Sequence, residues 1–157
     1  MKLENKEIGL NIIIEDTLIS CLYDNGIKNY PKEFGGLLIG NYSDDFKTVF
    51  IEETILPKKY KSSKYSFERG AEGVKETLEK YYYAEHRMIY VGEWHTHPDN
   101  LPIPSSTDIK ALEKIANHDE VTIKNPVLLI MGIDKTKYEL GFYVYFKNKI
   151  YKYEEEK

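Results

Sequence analysis

The sequence predicts an α/β domain in which helices flank a mixed β-sheet. Short apolar segments rich in β-branched and aromatic residues, which are typical of strands, alternate with segments whose apolar residues recur at helical spacing. The resulting order of elements is β-α-β-β-α-β-α-β-β-β, with no repeat and no linker. We therefore expect residues 1–157 to form a single domain.

The first half of the chain supplies four of these elements and an irregular connection. Leu18, Ile19 and Leu22 recur at helical spacing, and the turn-forming sequence at 24–26 is expected to end their helix. Pro57 ends a strand that is expected to form a hairpin with the glycine-containing strand before it. The predicted elements of this half are strand 10–14, helix 15–23, strands 34–42 and 48–56, and a loop or edge segment at 58–69.

The second half begins with a long helical pattern that has Val74, Leu78, Tyr81 and Tyr82 on one face. The strand that follows leads into two histidines, and three prolines between residues 98 and 104 stiffen the next connection. The predicted elements of this half are helix 71–87, strand 88–92, a helix from Ser105 or Ser106 to about Asn117, strand 126–133, and a terminal hairpin of strands 138–146 and 150–153.

Composition and charge limit the possible partners. Hydrophobic residues make up 41% of the chain and charged residues 31%, which favours a soluble globular protein. The net charge is -4, and 20 Lys stand against only 2 Arg, so nucleic-acid binding is not expected. We find no apolar run long enough for a membrane span, no signal peptide, and a single cysteine, Cys21. These features predict a cytoplasmic protein without membrane contact or disulfides.

The segment from His95 to Asp108 carries the strongest chemical signal. His95 and His97 are two residues apart, so on an extended strand both imidazoles point to the same side and can bind one ion. Asp108 can add an oxygen if the intervening loop folds back. Two histidines and one carboxylate leave a fourth position open on Zn²⁺, which is typical of a catalytic rather than a structural site.

This pattern resembles the signature of the JAMM metallopeptidases, also called MPN+ domains. In that signature His-x-His-Pro is followed by six residues and then Ser-x-x-Asp, as in the segment from His95 to Asp108. The family also has a glutamate before a glycine-rich apolar strand, and Glu33 occupies that place. The sequence Gly-Glu-Trp-His-Thr-His-Pro at 92–98 resembles the compact bacterial branch, found in operons with ubiquitin-activating-like proteins. The resemblance implies a curved mixed sheet similar to that of cytidine deaminases.

The resemblance also implies a role for each residue of the motif. One Zn²⁺ per chain is expected on His95, His97 and Asp108, with Glu33 as the general base for water attack. Ser105 is expected to donate a hydrogen bond to the oxyanion of the tetrahedral intermediate. The expected reaction has no covalent intermediate, so Cys21 is not a candidate nucleophile.

Asp108 and Ser105 also have a purely structural interpretation. Ser105 followed by an acidic residue three positions later is typical of a capping box at the start of a helix. The capping and metal-binding interpretations of Asp108 can coexist, because a helix N-terminus is a rigid platform that favours an ionised carboxylate. Ser106 is the neighbouring candidate for the capping residue.

Glu93 is the rival of Glu33 for the role of general base. It shares a strand face with His95, and it could alternatively orient one of the histidines. The position of Glu33 before the glycine-rich strand favours Glu33, and burial there would raise its pKa. Trp94 is expected to point away from the metal into the core.

Other polar residues have structural explanations. His86 and His118 are predicted at helix ends, where a positive charge interacts favourably with the helix dipole. The lysine-rich segment 58–61 is interpreted as a solvated run, or alternatively as a contact for an acidic partner. The acidic residues 154–156 are interpreted as a frayed end.

The expected substrate is a ubiquitin-like or otherwise conjugated protein whose extended C-terminal tail docks against a sheet edge. The resemblance implies cleavage after that tail in a bacterial antiphage or ubiquitin-like modification system, with an operon-encoded ubiquitin-transfer-like enzyme as a partner. Release of cysteine or another small adduct from a sulfur-carrier protein is an alternative. A non-catalytic MPN scaffold is a second alternative, although such domains typically lack the metal ligands.

Overall fold

The computed structural model describes residues 1–118, 123 and 125–157. Within these residues the chain forms eleven strands and three helices. The strands are β1 (Lys2–Asn5), β2 (Leu10–Ile14), β3 (Gly35–Tyr42), β4 (Thr48–Ile55), β5 (Tyr60–Ser63), β6 (Ser66–Arg69), β7 (Ile89–Pro98), β8 (Val127–Ile133), β9 (Tyr138–Phe146), β10 (Lys149–Lys152) and β11 (Glu154–Glu155). The helices are α1 (Asp16–Asn29), α2 (Val74–Tyr83) and α3 (Ser106–Ala116).

Nine of the described strands form one curved, mixed sheet in the order β10-β9-β8-β7-β3-β4-β2-β1-β11. The pairs β2–β4 and β7–β8 are parallel, and the other neighbours are antiparallel. The hairpin β5–β6 forms a separate two-stranded sheet. The predicted α/β class with a mixed sheet and flanking helices is therefore confirmed.

The helices cover both faces of the large sheet, because its central strands are apolar on both sides. On β8, Leu129 packs in the core cluster that contains Leu18 and Leu22 of α1. The next residue, Ile130, points to the opposite face and packs with Leu112 of α3. Helix α2 covers a third cluster on that same face, built around residues of β3 and β4. Side-chain alternation along each strand therefore separates an α1 face from an α2/α3 face.

Helix α1 is longer than the sequence predicts. The turn-forming sequence at 24–26 predicts an end after Tyr23, but the helix continues to Asn29 because Gly26 is buried against the methyl group of Thr96. Packing in the core outweighs the cost of about 1 kcal/mol for glycine in a helix. The helix instead ends just before Pro31, since a residue that precedes proline disfavours helical geometry.

The segment 58–69 is ordered as the hairpin β5–β6, where the sequence predicts a loop or edge segment. Tyr60 and Phe67 pack edge-on against Phe34, with ring centroids 5.1 and 5.8 Å apart. Residues 58–61 are all exposed, so their interpretation as a solvated run is confirmed, although the ring of Tyr60 contacts Phe34. Lys59 forms an exposed ion pair with Glu72 at 3.2 Å.

The structure differs from the sequence prediction at three further places. Helix α2 spans Val74–Tyr83, shorter than the predicted 71–87, and His86 lies beyond its end. The Nε2 atom of His86 is 2.6 Å from Oε2 of Glu52, so a partner on β4 replaces the predicted helix-dipole interaction. The acidic residues Glu154 and Glu155 are paired with β1 rather than frayed.

None of the helices in the described part of the chain is long and apolar enough to cross a membrane.

Trp94 is the largest fully buried side chain and joins β7 to β4. Its exposed fraction is 1%, and its indole N–H donates to Oγ1 of Thr54 at 2.9 Å. The predicted core position of Trp94 is therefore confirmed.

We expect Trp94→Ala to lower the free energy of unfolding by about 3–5 kcal/mol, because it removes a large buried side chain and leaves a cavity. Urea denaturation followed by circular dichroism measures this change. Tyr65→Ala is the control, since Tyr65 is 79% exposed and its loss should change stability by less than about 0.5 kcal/mol. Equal stability of the two variants would contradict the assigned core.

Candidate active site

Strand β7 presents both histidines on the α2/α3 face of the sheet. His95 lies opposite Ile130 of β8, which belongs to the core cluster on that face. The intervening Thr96 lies opposite Met131, which belongs to the cluster on the α1 face. The strand extends through Pro98, beyond the predicted end at residue 92, so regular alternation fixes the direction of both imidazoles.

Asp108 reaches the histidines from the first turn of α3. The N–H of Ser105 donates to Oδ2 of Asp108 at 2.8 Å, and the N–H of Asp108 donates to Oγ of Ser105 at 3.1 Å. This is the predicted capping box, with Ser105 rather than Ser106 as the capping residue. The same carboxylate has Oδ1 at 3.2 Å from Nε2 of His95 and Oδ2 at 3.3 Å from Nε2 of His97. The capping contacts and the contacts with the histidines therefore coexist.

The three donor groups have the spacing that a tetrahedral metal requires. The two Nε2 atoms are 3.1 Å apart, and the donor atoms of His95, His97 and Asp108 all lie within 4.8 Å of one another. Donors bound at 2.0–2.1 Å to a tetrahedral Zn²⁺ would be about 3.3–3.4 Å apart. The residues present therefore fit a metal ion, and the group is a candidate metal site.

A hydrogen bond on the outer side of His97 selects the nitrogen that faces the cluster. Nδ1 of His97 is 3.1 Å from the carbonyl oxygen of Leu101. Because a carbonyl can only accept, Nδ1 carries the hydrogen, and Nε2 of the neutral ring keeps its lone pair. Such a bond orients a metal-binding imidazole and fixes its tautomer.

The electrostatics of the cluster also suit a cation. Burial alone would raise the pKa of Asp108, but hydrogen bonds with His95 and His97 hold it well below its ordinary value. Burial alone would lower the pKa of His97, but its hydrogen bonds with Asp108 and Leu101 raise it overall. The carboxylate is therefore anionic, and a proton would compete with a metal ion for His97.

Glu33 lies in the same groove as the cluster, two residues before β3 begins. Its backbone N–H donates to the carbonyl oxygen of Ser63 in the β5–β6 hairpin at 2.8 Å. Burial raises the pKa of the Glu33 carboxyl, while the nearby His95 and His97 partly offset that rise. A carboxyl group with a raised pKa beside a metal site is suited to proton transfer.

Glu93 interacts with the hairpin, because Nη2 of Arg69 donates a hydrogen bond to Oε1 of Glu93 at 3.3 Å. Within the described residues, no hydrogen bond joins Glu93 to His95 or His97. The interpretation of Glu93 as the residue that orients a histidine is therefore wrong. The carbonyl of Leu101 has that role for His97.

The site opens into a groove of about 490 Å³ between the hairpin and α3. The histidines form part of its floor. One wall contains Lys64, Phe67 and Arg69, and the other contains Thr107, Ala111 and Ile115. The hairpin wall is not predicted by the sequence, in which the available signal is the alternation of aromatic and polar residues at Tyr65, Ser66 and Phe67.

The remaining residues singled out in the sequence lie outside this groove. Cys21 is an exposed free cysteine on α1, and His118 lies just beyond the end of α3, as predicted. Neither belongs to the metal cluster.

Comparisons with known proteins agree with the geometry. A 124-residue segment, 78% of this chain, is 34% identical to the CD-NTase/cGAS isopeptidase of Enterobacter hormaechei and covers 68% of that protein. A 122-residue segment is 25% identical to a Sinorhizobium fredii protein named "Probable metalloprotease y4qB", covering 76% of this chain and 74% of that protein.

The fold is also similar to the solution structure of protein DSY2949 from Desulfitobacterium hafniense. The TM-score is 0.64, with 90% of this chain and 88% of the other covered and 16% of residues identical. Residues 16–143 match the sequence profile of Prok-JAB, the prokaryotic homologues of the JAB domain. This match covers most of the chain and includes every residue of the motif. The protein therefore belongs to the prokaryotic JAB family and is a hydrolase of the peptidase type.

Proposed function

We propose that this protein is a zinc-dependent isopeptidase that hydrolyses the bond after the C-terminal tail of a ubiquitin-like or otherwise conjugated protein. The observation that carries the proposal is the placement of Glu33 in one groove with the cluster of His95, His97 and Asp108. The relative named CD-NTase/cGAS isopeptidase supports this reaction type. We infer that the conjugated client is a nucleotidyltransferase of the CD-NTase class, acting beside an operon-encoded ubiquitin-transfer-like enzyme.

The donor set favours zinc among the common metals. Two imidazole nitrogens and one carboxylate oxygen suit Zn²⁺, whereas Ca²⁺ and Mg²⁺ prefer oxygen ligands alone. When bound, zinc would supply a Lewis acid and an acidified water at the position that the protein leaves open.

The side chains of this chain supply the remaining chemistry. Glu33 accepts a proton from the attacking water and delivers it to the leaving amine. The hydroxyl of Ser105 accepts from the backbone of Asp108 and keeps its own hydrogen to donate. That hydrogen stabilises the negative charge that develops on the carbonyl oxygen of the scissile bond.

The groove fits an extended tail rather than a compact ligand. Ser66, Phe67 and Arg69 of β6 line it, and within the described residues β6 pairs only with β5. The second edge of β6 therefore offers unpaired backbone groups, and a peptide can add to such an edge as a further strand. Apolar side chains of α3 on the opposite wall would contact alternate side chains of the tail.

We expect the purified protein to hold about one zinc per chain, as measured by elemental analysis of metal-exchanged samples. The double variant His95→Ala/His97→Ala should lose this zinc, because only one ligand remains. His86→Ala is the control, since His86 lies outside the cluster. Stoichiometric zinc in the double variant would disprove the assigned ligands.

We expect Glu33→Ala to retain zinc and the fold while losing hydrolysis, because Glu33 moves a proton and is not a ligand. A loss of at least about 100-fold in kcat is expected for a general base. Glu93→Ala is the matched control in the same groove and should retain most activity. Activity that survives in Glu33→Ala but not in Glu93→Ala would transfer the role to Glu93.

We expect cleavage of a reporter protein fused to the C-terminus of the CD-NTase that is proposed as the client. A chelator should abolish cleavage, added zinc should restore it, and alkylation of Cys21 should leave it intact, because water attacks directly. Cleavage that persists in chelator would refute the metal-dependent mechanism.

Bulky residues introduced just before the scissile bond should prevent cleavage, since the carbonyl must approach the cluster of His95, His97 and Asp108 closely. Changes on the leaving-group side should matter less. A series of fusions with single replacements on each side measures this difference, and equal tolerance on both sides would contradict the proposed tail binding.

A further inference from the structure

Thr96 is the only polar residue that is fully buried in the described part of the chain, with an exposed fraction of 0%. It lies between His95 and His97 on β7, but its side chain points to the α1 face, away from the metal cluster. A buried hydroxyl is costly unless it forms hydrogen bonds. Its place in the core therefore needs an explanation.

Thr96 holds the peptide group that directly follows Glu33. Its Oγ1 accepts from the backbone N–H of Phe34 at 3.0 Å. Its own N–H donates to the carbonyl oxygen of Phe34 at 2.8 Å. Both polar groups of the Phe34 backbone are thus bound by one residue, at the point where β3 begins to pair with β7.

The direction of the Thr96 hydroxyl is set by the packing of its methyl group. That methyl carbon lies 2.8 Å from where a Cβ of Gly26 would be, so it fills the space left by this glycine on α1. With the methyl held there, the staggered arrangement around Cβ keeps the hydroxyl toward Phe34. On the other side of Glu33, the carbonyl of Ser63 binds the Glu33 N–H at 2.8 Å.

We propose that Thr96 is a positioning residue for Glu33. Its hydroxyl fixes the peptide between Glu33 and Phe34, and thereby the origin of the Glu33 side chain relative to His95 and His97. The inference rests on the proposed role of Glu33 as the general base. Strand β7 then orients the proposed metal ligands, which lie on one face of the sheet. Through Thr96, whose side chain lies on the other face, the same strand also positions Glu33.

The test compares Thr96→Val with Thr96→Ser on the C-terminal CD-NTase fusion. Valine keeps the shape but leaves the N–H of Phe34 without its acceptor, so kcat should fall by about 10- to 100-fold while KM changes less than about twofold. Serine keeps the acceptor but lacks the methyl that directs it, so its kcat should lie between those of the wild type and Thr96→Val. Both variants should retain about one zinc per chain, because the histidines are not changed.

Thr54→Val is the matched control. The Thr54 hydroxyl is also bound inside this sheet, to Leu37 and Trp94, but it does not contact the Glu33 loop. Its removal should change stability without the loss of kcat. An equal loss of kcat in Thr54→Val, unchanged kcat in Thr96→Val, or zinc lost in parallel with kcat would overturn the proposal.

A measurement independent of activity separates this inference from the proposed function. Amide hydrogen exchange at Phe34 should be faster in Thr96→Val than in Thr96→Ser, and unchanged exchange would overturn the positioning contact even if no fusion is cleaved.

If Thr96→Val does not fold, Gly26→Ala replaces it. The added methyl displaces that of Thr96 without removing the hydroxyl, and it should lower kcat with zinc retained; wild-type kcat in folded Gly26→Ala would count against the proposal.

Discussion

The alternation of side chains on β7 is the constraint on which the rest of the site depends. Because successive residues of a strand point to opposite faces, Trp94 and Thr96 enter the core that α1 covers, while His95 and His97 face the groove. A shift of one residue in the pairing of β7 with β3 and β8 would bury both imidazoles and expose the indole. The large hydrophobic side chain therefore keeps the candidate metal ligands on the groove side of the sheet.

Two other segments, the first turn of α3 and the residues just before β3, bring the remaining candidate site residues to this strand. Helix α3 brings Asp108 through its first turn, after a connection that contains Pro102 and Pro104. The segment just before β3 brings Glu33, held between the hairpin and Thr96. Both attachments use hydrogen bonds to the backbone, and such supporting bonds hold a functional site in its productive geometry. The presence of His95, His97, Asp108 and Glu33 in one groove argues against a non-catalytic scaffold.

Motif spacing and strand periodicity were sufficient to predict the family, the mixed sheet and the grouping of His95, His97 and Asp108. They were not sufficient for features that depend on distant contacts. Gly26 is accommodated inside α1 because it packs against Thr96, and the hairpin β5–β6 packs against Phe34. Each of these partners is remote in sequence. The partner of Glu93 was unpredictable for the same reason, since Arg69 comes from a segment with weak strand periodicity.

The capping box at α3 affects how the motif should be interpreted in other sequences. Ser105 and Asp108 satisfy backbone groups that any helix beginning here would leave unpaired, a contribution of about 0.5–2 kcal/mol for the serine alone. Natural selection for a stable helix would therefore preserve Ser-x-x-Asp even after catalysis was lost. Relatives that have become inactive should lose the histidines first and keep the serine and aspartate, so the His-x-His pair is the better diagnostic of an active enzyme.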